Sequence, residues 1–511
     1  MYNLVSVRAS LLEESQCGEK LVESGNNKVY NSILELVGNT PLVKLNKVPQ
    51  HHGLDCDFYA KCEFLNPAGS IKDRVALAMV QDAKQAGLVN EKTEFIEPTS
   101  GNTGIGIAFN AALMENKCTI VMDVKNSAEK VDTMRLLGAE VIQVRGKDRM
   151  IARQMKYENA DTAVILNQFE NEVNPKTHYE TTGVEILSAL DRVDMVVMGA
   201  GTGGTLTGVG RRIKEKHPDC VVVAAEPDGS IMINTNGKNH PFLVEGVGGG
   251  WVPMTLDKSL VDHVEVVTDQ EAFITARELA KKEGLLCGGS SGAAMCAAMK
   301  AAKALNFGAG KRVVVLLPDG IRNYMSKFVN DQWMEAHLFM DPPEQSMKWW
   351  KTPISELKLS HKKYPMLKKN ATCDQALYAM EDGNVAVITD EKGHLVGAVS
   401  KDGLRNYATN PIKFPKKASS EFDFNDLASE YLVKNCYKLA ENGKNGMPTI
   451  GLLSRILDIT SFVIIGKEGH DSETDTGFFE PKGVVTGDDV LDYIREMNYA
   501  KQPRKCSRTW A

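Results

Sequence analysis

From about residue 58 to residue 319 short runs rich in β-branched residues alternate with helical patterns, and this alternation constrains the fold more than any other feature of the chain. The runs fall at 58–63, 93–97, 118–124, 140–144, 163–166, 195–200, 220–225 and 312–317. Strands separated by helices pair in parallel, so an α/β fold with a doubly wound, largely parallel sheet is expected. Ligands of such sheets sit beyond the carboxyl ends of the strands, which directs attention to the loops that follow these runs.

A chain of 511 residues exceeds one hydrophobic core, and two to four domains are expected, by a rule of roughly 100–200 residues each. With 43% hydrophobic and 25% charged residues it has the composition of a soluble globular protein. A net charge of -6 favours no polyanion, so nucleic acid is not an expected partner. Its ten cysteines are scattered without a C-x-x-C pair, which fits reduced thiols better than disulfides or a zinc site. Residues 1–14 lack the apolar core of a secretory signal and no run reaches membrane-spanning length, so a cytoplasmic protein without membrane contact is expected. His51 and His52 are read as surface residues, since adjacent side chains point apart, and no metal site is expected.

Past Asp341-Pro342-Pro343 glycine-rich loops become rarer and Trp349-Trp350 opens a different texture. Two similar half-patterns follow. Strand-like 385–390 and 393–399 precede Lys401-Asp402-Gly403-Leu404, and strand-like 461–465 and 483–485 precede Thr486-Gly487-Asp488-Asp489-Val490. Such repetition suggests a paired α+β module, with 410–417 as the connection and 466–481 as a polar, mobile loop.

Four loops carry chemistry. Lys72 lies in Asn66-Pro67-Ala68-Gly69-Ser70-Ile71-Lys72-Asp73-Arg74, where Ser70 suits an N-cap and the first helical turn holds the lysine. The helix dipole and partial burial both disfavour an ammonium there, which favours imine formation with a carbonyl cofactor. Thr99-Ser100-Gly101-Asn102-Thr103-Gly104 offers amides and hydroxyls as an anion nest suited to an amino acid's carboxylate. Gly199-Ala200-Gly201-Thr202-Gly203-Gly204-Thr205 follows a strand and suits a phosphate; with Glu226 after the next strand it also satisfies a dinucleotide fingerprint. Ser290, in Cys287-Gly288-Gly289-Ser290-Ser291-Gly292, is either a helix cap or a hydroxyl offered to a cofactor.

Taken together in this order, the four segments resemble those of the cysteine synthase and cystathionine β-synthase family, fold-type II pyridoxal-phosphate enzymes that perform β-replacement. The resemblance covers about residues 32–333. It implies pyridoxal 5'-phosphate held by Lys72 as a Schiff base, with Gly201, Thr202, Gly203, Gly204 and Thr205 as phosphate cup, Asn102 at the ring oxygen and Ser290 at the ring nitrogen. Thr99, Ser100, Gly101, Thr103, Gly246 and Tyr179 are implied as substrate residues, with Lys72, Ser100 and Tyr179 catalytic. A neutral serine at the ring nitrogen tempers the electron sink and favours β-elimination.

The paired C-terminal repeats are similar to the CBS-domain pair of eukaryotic members, which implies replacement of the serine hydroxyl by homocysteine, giving cystathionine and water, with hydrogen sulfide from cysteine as a side activity. The resulting layout is an extension 1–27, a catalytic domain 28–340, a linker 341–352, CBS units 353–412 and 421–500 joined by 413–420, and a tail 501–511. A homodimer or homotetramer is expected. Gly249 stands where animal and yeast members usually carry a tyrosine, which keeps sulfhydrylation of O-acetylserine open as an alternative. Cys17 has no histidine partner before His51, so haem is not expected. Thr486 and Asp489 match an adenosylmethionine site, but Gly383-Asn384-Val385-Ala386 lacks the aromatic and acidic wall, which counts against that ligand. A non-catalytic adenosyl sensor is the alternative from another class.

Overall fold

The computed structural model describes residues 29–499 except Ser100, Lys125, 145–147, 235–236, 358–363, Asp382, 410–421, 434–435, 444–446 and 472–475. The expected extension 1–27 with Cys17, the linker 413–420, the tail 501–511 and the Ser100 side chain lie outside the described residues.

Two sheets organise the first part of the chain. The larger runs in the order β1 (Leu42–Leu45), β2 (Asp57–Cys62), β10 (Arg312–Leu317), β7 (Met195–Gly199), β8 (Val221–Pro227) and β9 (His263–Val267). All its pairings are parallel except that of β1 with β2. The smaller is parallel throughout, in the order β5 (Glu140–Val144), β4 (Lys117–Asp123), β3 (Glu94–Pro98) and β6 (Ala163–Val164). The helices that shape the site are α1 (Lys72–Gln85), α2 (Asn102–Met114), α3 (Ala128–Leu136), α4 (Asp148–Glu158), α5 (Val173–Glu180), α6 (Gly204–Lys216), α7 (Asp269–Glu278) and α8 (Gly289–Ala304).

All eight expected runs form strands, and two further strands, β1 and β9, occupy the edges of the larger sheet. Central strands are buried on both faces and read as continuous apolar runs: Val313, Val314 and Val315 of β10 and Met195, Val196, Val197 and Met198 of β7 are fully buried. Each such valine removed from water contributes about 1.5–3 kcal/mol. Small residues set how closely the helices cover them. A Cβ on Gly292 would lie 2.0 Å from the Ala272 carbonyl oxygen, so α8 meets α7 backbone to backbone and any side chain there would push them apart.

The C-terminal part holds two three-stranded units, β11 (Met366–Lys368), β12 (Val385–Thr389) and β13 (Leu395–Ser400), then β14 (Lys438–Ala440), β15 (Val463–Asp471) and β16 (Thr476–Val485). In each the first pair is parallel and the second antiparallel. The segment expected as a mobile loop at 466–481 is instead a long hairpin, in register from Gly466 with Pro481 to Asp471 with Thr476. Lys467 and Glu468 face water, while Phe479 is buried with Val387 and Ala398 of the first unit.

Packing also crosses the boundaries expected at 353–412 and 421–500. Ile354 and Leu357 are buried with Leu439, Leu453 and Val463 of the second unit. Ala428 and Tyr431 are buried with Cys373, Ile388 and Leu404 of the first. Each unit is thus completed by chain that flanks the other. Among the described residues no helix is long and apolar enough to cross a membrane, no group of three or more His, Cys, Asp or Glu is placed to hold a metal ion, and the eight described cysteines are free thiols. His51 and His52 do not point apart; both approach the Glu278 carboxylate, at 3.9 and 2.9 Å.

Candidate active site

Between the two sheets, beyond the carboxyl ends of β3, β7 and β10, lies a cavity of about 820 Å³. Lys72, Thr99, Asn102, Thr103, Gly201, Thr202, Gly203, Thr205, Gly246 and Ser290 all line it, while Gly101 and Gly204 adjoin that lining.

Lys72 opens α1. Its backbone N–H donates to Ser70 Oγ at 3.1 Å, so the hydroxyl expected as the cap acts from two residues before the helix while Ile71 holds the N-cap position. The backbone of α1 is fixed by close approach of α2, where a Cβ on Gly106 would lie 3.1 Å from the Lys72 carbonyl oxygen and 2.8 Å from Ala76 Cβ. Among the described residues the Lys72 amine makes no hydrogen bond or ion pair, and burial alone brings its pKa down to about 8. It is an amine held ready to be neutral at the rim of an open space.

The glycine-rich turn after β7 leads into α6, whose first N–H groups lack helical acceptors and carry the positive end of the helix dipole. A Cβ on Gly201 would come within 2.3 Å of the Gly246 carbonyl oxygen, and Gly203 has φ +88 with Leu256 Cβ 2.3 Å from its own missing Cβ. Only glycine fits either position. The threonine hydroxyls of the turn are held from behind by α5. Asn174 Nδ2 donates to Thr202 Oγ1 at 2.8 Å, and His178 Nε2 lies 3.2 Å from Thr205 Oγ1. Burial drives the His178 pKa well below its usual value, so this ring is neutral. Neither residue was read from the sequence as functional; their spacing of four, on one helix face, was the available signal.

Glu226, the candidate ribose acid, is consumed internally. Its carboxylate accepts from Ser230 Oγ at 2.8 Å, Ile233 N at 2.8 Å and Asn234 N at 2.6 Å. The dinucleotide reading loses its acid, and a terminal phosphate monoester is the anion that this cup of amides and hydroxyls fits.

The loop before α2 turns sharply at Gly101, with φ +133, and a Cβ there would strike Lys130 Cδ at 2.5 Å. Thr103 Oγ1 donates to Gln168 Oε1 at 2.5 Å. Asn102 Nδ2 donates to Asp319 Oδ2 at 2.8 Å, and Tyr324 donates to the same oxygen at 2.5 Å. Lys130 Nζ continues this chain to Tyr324 and to Glu245, at 3.1 and 2.8 Å, and Lys327 joins it at Glu245. Burial works against the Glu245 carboxylate, but the two lysines outweigh it and hold its pKa down. Ser290, buried in the first turn of α8, completes the lining.

Tyr179 is a correction. Its hydroxyl donates to Glu215 at 2.7 Å in an exposed pair on the outer side of α5, and it does not line the cavity. Phe169, Trp251 and Arg149 line it instead. No motif marks these three in the sequence, because they converge from separate loops.

An unpaired amine, a glycine cup on a helix N-terminus and a buried hydroxyl facing one cavity fit a phosphorylated aromatic aldehyde. The comparisons agree. Residues 33–319 match the profile of the family described as pyridoxal-phosphate dependent enzyme. The chain is 39% identical over 484 residues to the cystathionine β-synthase of Apis mellifera, covering 91% of each chain, and 36% identical over 489 residues to that of Dictyostelium discoideum, covering 91% of this chain and 92% of the other. Among solved structures it is similar to a hydrogen sulfide-producing enzyme from Fusobacterium nucleatum, with TM-score 0.54 and 39% identity over 58% of this chain and 100% of the other. It is also similar to the O-acetylserine dependent cystathionine β-synthase of Helicobacter pylori, with TM-score 0.55 and 35% identity over 59% of this chain and 98% of the other.

Proposed function

The chain belongs to the family of pyridoxal-phosphate dependent enzymes, and from that premise we propose that it catalyses the cystathionine β-synthase reaction, in which the L-serine hydroxyl is replaced by L-homocysteine to give L-cystathionine and water. One observation carries the choice of reaction: likeness to curated cystathionine β-synthases runs over 91% of the chain and so includes the C-terminal units.

Pyridoxal phosphate, when bound, supplies an electron-withdrawing ring that acidifies the substrate's Cα–H. In this reading Lys72, Asn102, Ser290 and the cup from Gly201 to Thr205 hold it. The serine carboxylate goes to the loop of Thr99, Gly101 and Thr103. Lys72 Nζ, with its pKa lowered to about 8, takes the Cα proton as a base and, once charged, is the acid at hand for the departing hydroxyl. Loss of water breaks the Cβ–O bond, the homocysteine thiol forms the Cβ–S bond in its place, and the proton that the thiol gives up returns to Cα through the Lys72 amine. The buried network of Asp319, Tyr324, Lys130 and Glu245 keeps Asn102 in position.

The two C-terminal units read as a CBS-domain pair, in an assembly of two or four chains. Asp489 Oδ2 accepts from Thr486 Oγ1 at 2.7 Å and from Tyr364 at 3.2 Å, and what counts against adenosylmethionine is the wall Gly383-Asn384-Val385-Ala386, which offers neither an aromatic ring nor an acid. Haem is likewise not part of this reading, and a Soret band in the purified protein would contradict it.

Turnover of serine with homocysteine, set against O-acetylserine with sulfide, tests the proposal: the first pair is expected to react, and its failure would refute it. Sulfhydrylation is the second reading, favoured by Gly249. That residue lines the cavity, where a Cβ would meet only the Met232 methyl at 3.0 Å and a carbonyl at 4.0 Å, so the space an aromatic would fill is left open.

A further inference from the structure

Helix α5 reaches the glycine-rich turn with two polar side chains, and the direction of their hydrogen bonds decides what the turn can hold. Asn174 fixes the first. Its Nδ2 donates to the Gln168 carbonyl oxygen at 2.8 Å and to Thr202 Oγ1 at 2.8 Å. A carbonyl oxygen only accepts, so the nitrogen end of this amide has to face that way, and Thr202 Oγ1 becomes the acceptor of the second bond. A hydroxyl has one hydrogen and two lone pairs. Approached from behind by a donor, Thr202 has its own hydrogen to give to the cavity that it lines.

His178 stands one turn further along α5, between two threonines. Its Nδ1 lies 3.0 Å from Oγ1 of Thr182, the first residue of the next helix, Thr182–Ala189, and its Nε2 lies 3.2 Å from Thr205 Oγ1. All three side chains are buried, and of the three only Thr205 lines the cavity. Burial, with the charges of Lys72 and Arg74 nearby, keeps the ring neutral, so it carries one N–H and one lone pair. Which nitrogen has the hydrogen sets the sense of the whole chain. With hydrogen on Nδ1, the ring donates to Thr182 and Nε2 takes the hydrogen of Thr205. With hydrogen on Nε2, Thr182 donates to Nδ1, Nε2 donates to Thr205, and Thr205 donates onward into the cavity.

The occupant of the turn chooses between the two. A phosphate monoester has a second pKa of about 6, so near neutral pH it is a dianion whose terminal oxygens only accept. A hydroxyl lone pair turned toward it would repel it. We propose that Thr182 holds His178 as the Nε2–H tautomer, so that the relay from Thr182 through His178 to Thr205 runs toward the cavity and makes the turn a receptor for a phosphate dianion. This rests on the reading of the turn as the phosphate cup. Within it, Thr182 and His178 are positioning residues that act through Thr205.

Nitrogen NMR of the wild-type holoenzyme, labelled in its histidine rings, reads the tautomer directly. The His178 signals, identified by their loss in His178→Leu, should show a protonated Nε2 and a bare Nδ1; a hydrogen on Nδ1 would overturn the proposal. Affinities of the full-length apoprotein for pyridoxal phosphate and for pyridoxal, which lacks the phosphate, read the consequence. A hydrogen bond of ordinary net strength is worth a factor of about two to ten in affinity. Thr182→Val keeps the side-chain shape and removes the donor to Nδ1, so it should lower the preference for pyridoxal phosphate over pyridoxal by about that factor, although Thr182 lies outside the cavity. His178→Leu should lower it at least as much, and the double variant no further than His178→Leu, because a relay is broken once. Equal losses for both aldehydes, or losses that simply add, would overturn the relay alone and leave the two residues as packing. A wild-type protein with no preference for pyridoxal phosphate over pyridoxal would overturn the phosphate reading of the turn and this inference together.

Discussion

At the scale of single residues, the lowered pKa of Lys72 has a measurable sign. Only the neutral amine attacks an aldehyde, so the rate at which apoprotein takes up pyridoxal phosphate should rise about tenfold per pH unit and level off near pH 8, by the logic of a single titrating group. Stopped-flow absorbance follows this directly. A rise continuing to pH 10 would mean an ordinary solvated lysine. Lys72→Ala should bind the cofactor without the visible band of a lysine adduct. Lys72, the glycine cup and Ser290 were legible because caps, turns and helix starts are local events, written in consecutive residues. Tyr179 was misread for a physical reason that one sequence hides. Asn174 and His178 point at the cup, and the next residue along the helix is rotated by about 100°, which carries the phenol to the outer face.

At the scale of elements, α5 acts as a brace behind the glycine-rich turn proposed to hold the phosphate. A Cβ on Gly208 would lie 2.2 Å from the Pro175 carbonyl oxygen, so α5 and α6 touch along their backbones and the Asn174 and His178 contacts are enforced. Asn174→Ala removes the donor to Thr202 and leaves a gap in a buried site, which should cost about 1–3 kcal/mol of stability. Cofactor dissociation should quicken by about tenfold for a loss of 1.4 kcal/mol at the cup. Dissociation kinetics followed by absorbance check this; an unchanged rate in a folded variant would deny α5 that role. Gly249→Tyr concerns a loop rather than a helix. Its φ is not in the left-handed region and its Cβ direction is clear except for the flexible Met232, so the variant should fold and place a phenol in the cavity. The ratio of homocysteine to sulfide turnover should change by about tenfold if the ring contacts the second substrate, a contact worth roughly 1–1.5 kcal/mol. The strands that the sequence concealed, β1 and β9, are edge strands with mixed burial, where the apolar run that marks β7 and β10 is diluted by water-facing residues. The hairpin of β15 and β16 was missed because its register is set by cross-strand pairs, such as Phe478 opposite Gly469, that no local pattern announces.

At the scale of the whole molecule, what joins the catalytic part to the C-terminal units is a contact that no segment of sequence reveals alone. Glu335, in the short helix Asp331–Ala336, is buried and accepts from Arg455 Nε at 2.8 Å and from its terminal nitrogen at 3.2 Å. Arg455 belongs to the helix Ile450–Leu457, and nearby the rings of His337 and Tyr437 meet edge to face at 5.6 Å. The two sides of this junction differ in exposure, with Glu335 at 1% and Arg455 at 23%. Removing the arginine leaves a carboxylate buried without its partner, whereas replacing both by apolar groups does not. Loss of one partner from a fully buried pair costs about 3–5 kcal/mol, and the partial exposure of Arg455 reduces that to roughly 1–3 kcal/mol. Arg455→Met should therefore loosen the C-terminal units from the catalytic part, and calorimetric unfolding should separate into two transitions. Glu335→Met combined with Arg455→Met should restore much of the coupling, because no buried charge or unpaired polar group remains. A single, unshifted transition in Arg455→Met would show that the apolar packing around Ala336 and Ile456 holds the two parts together without the ion pair.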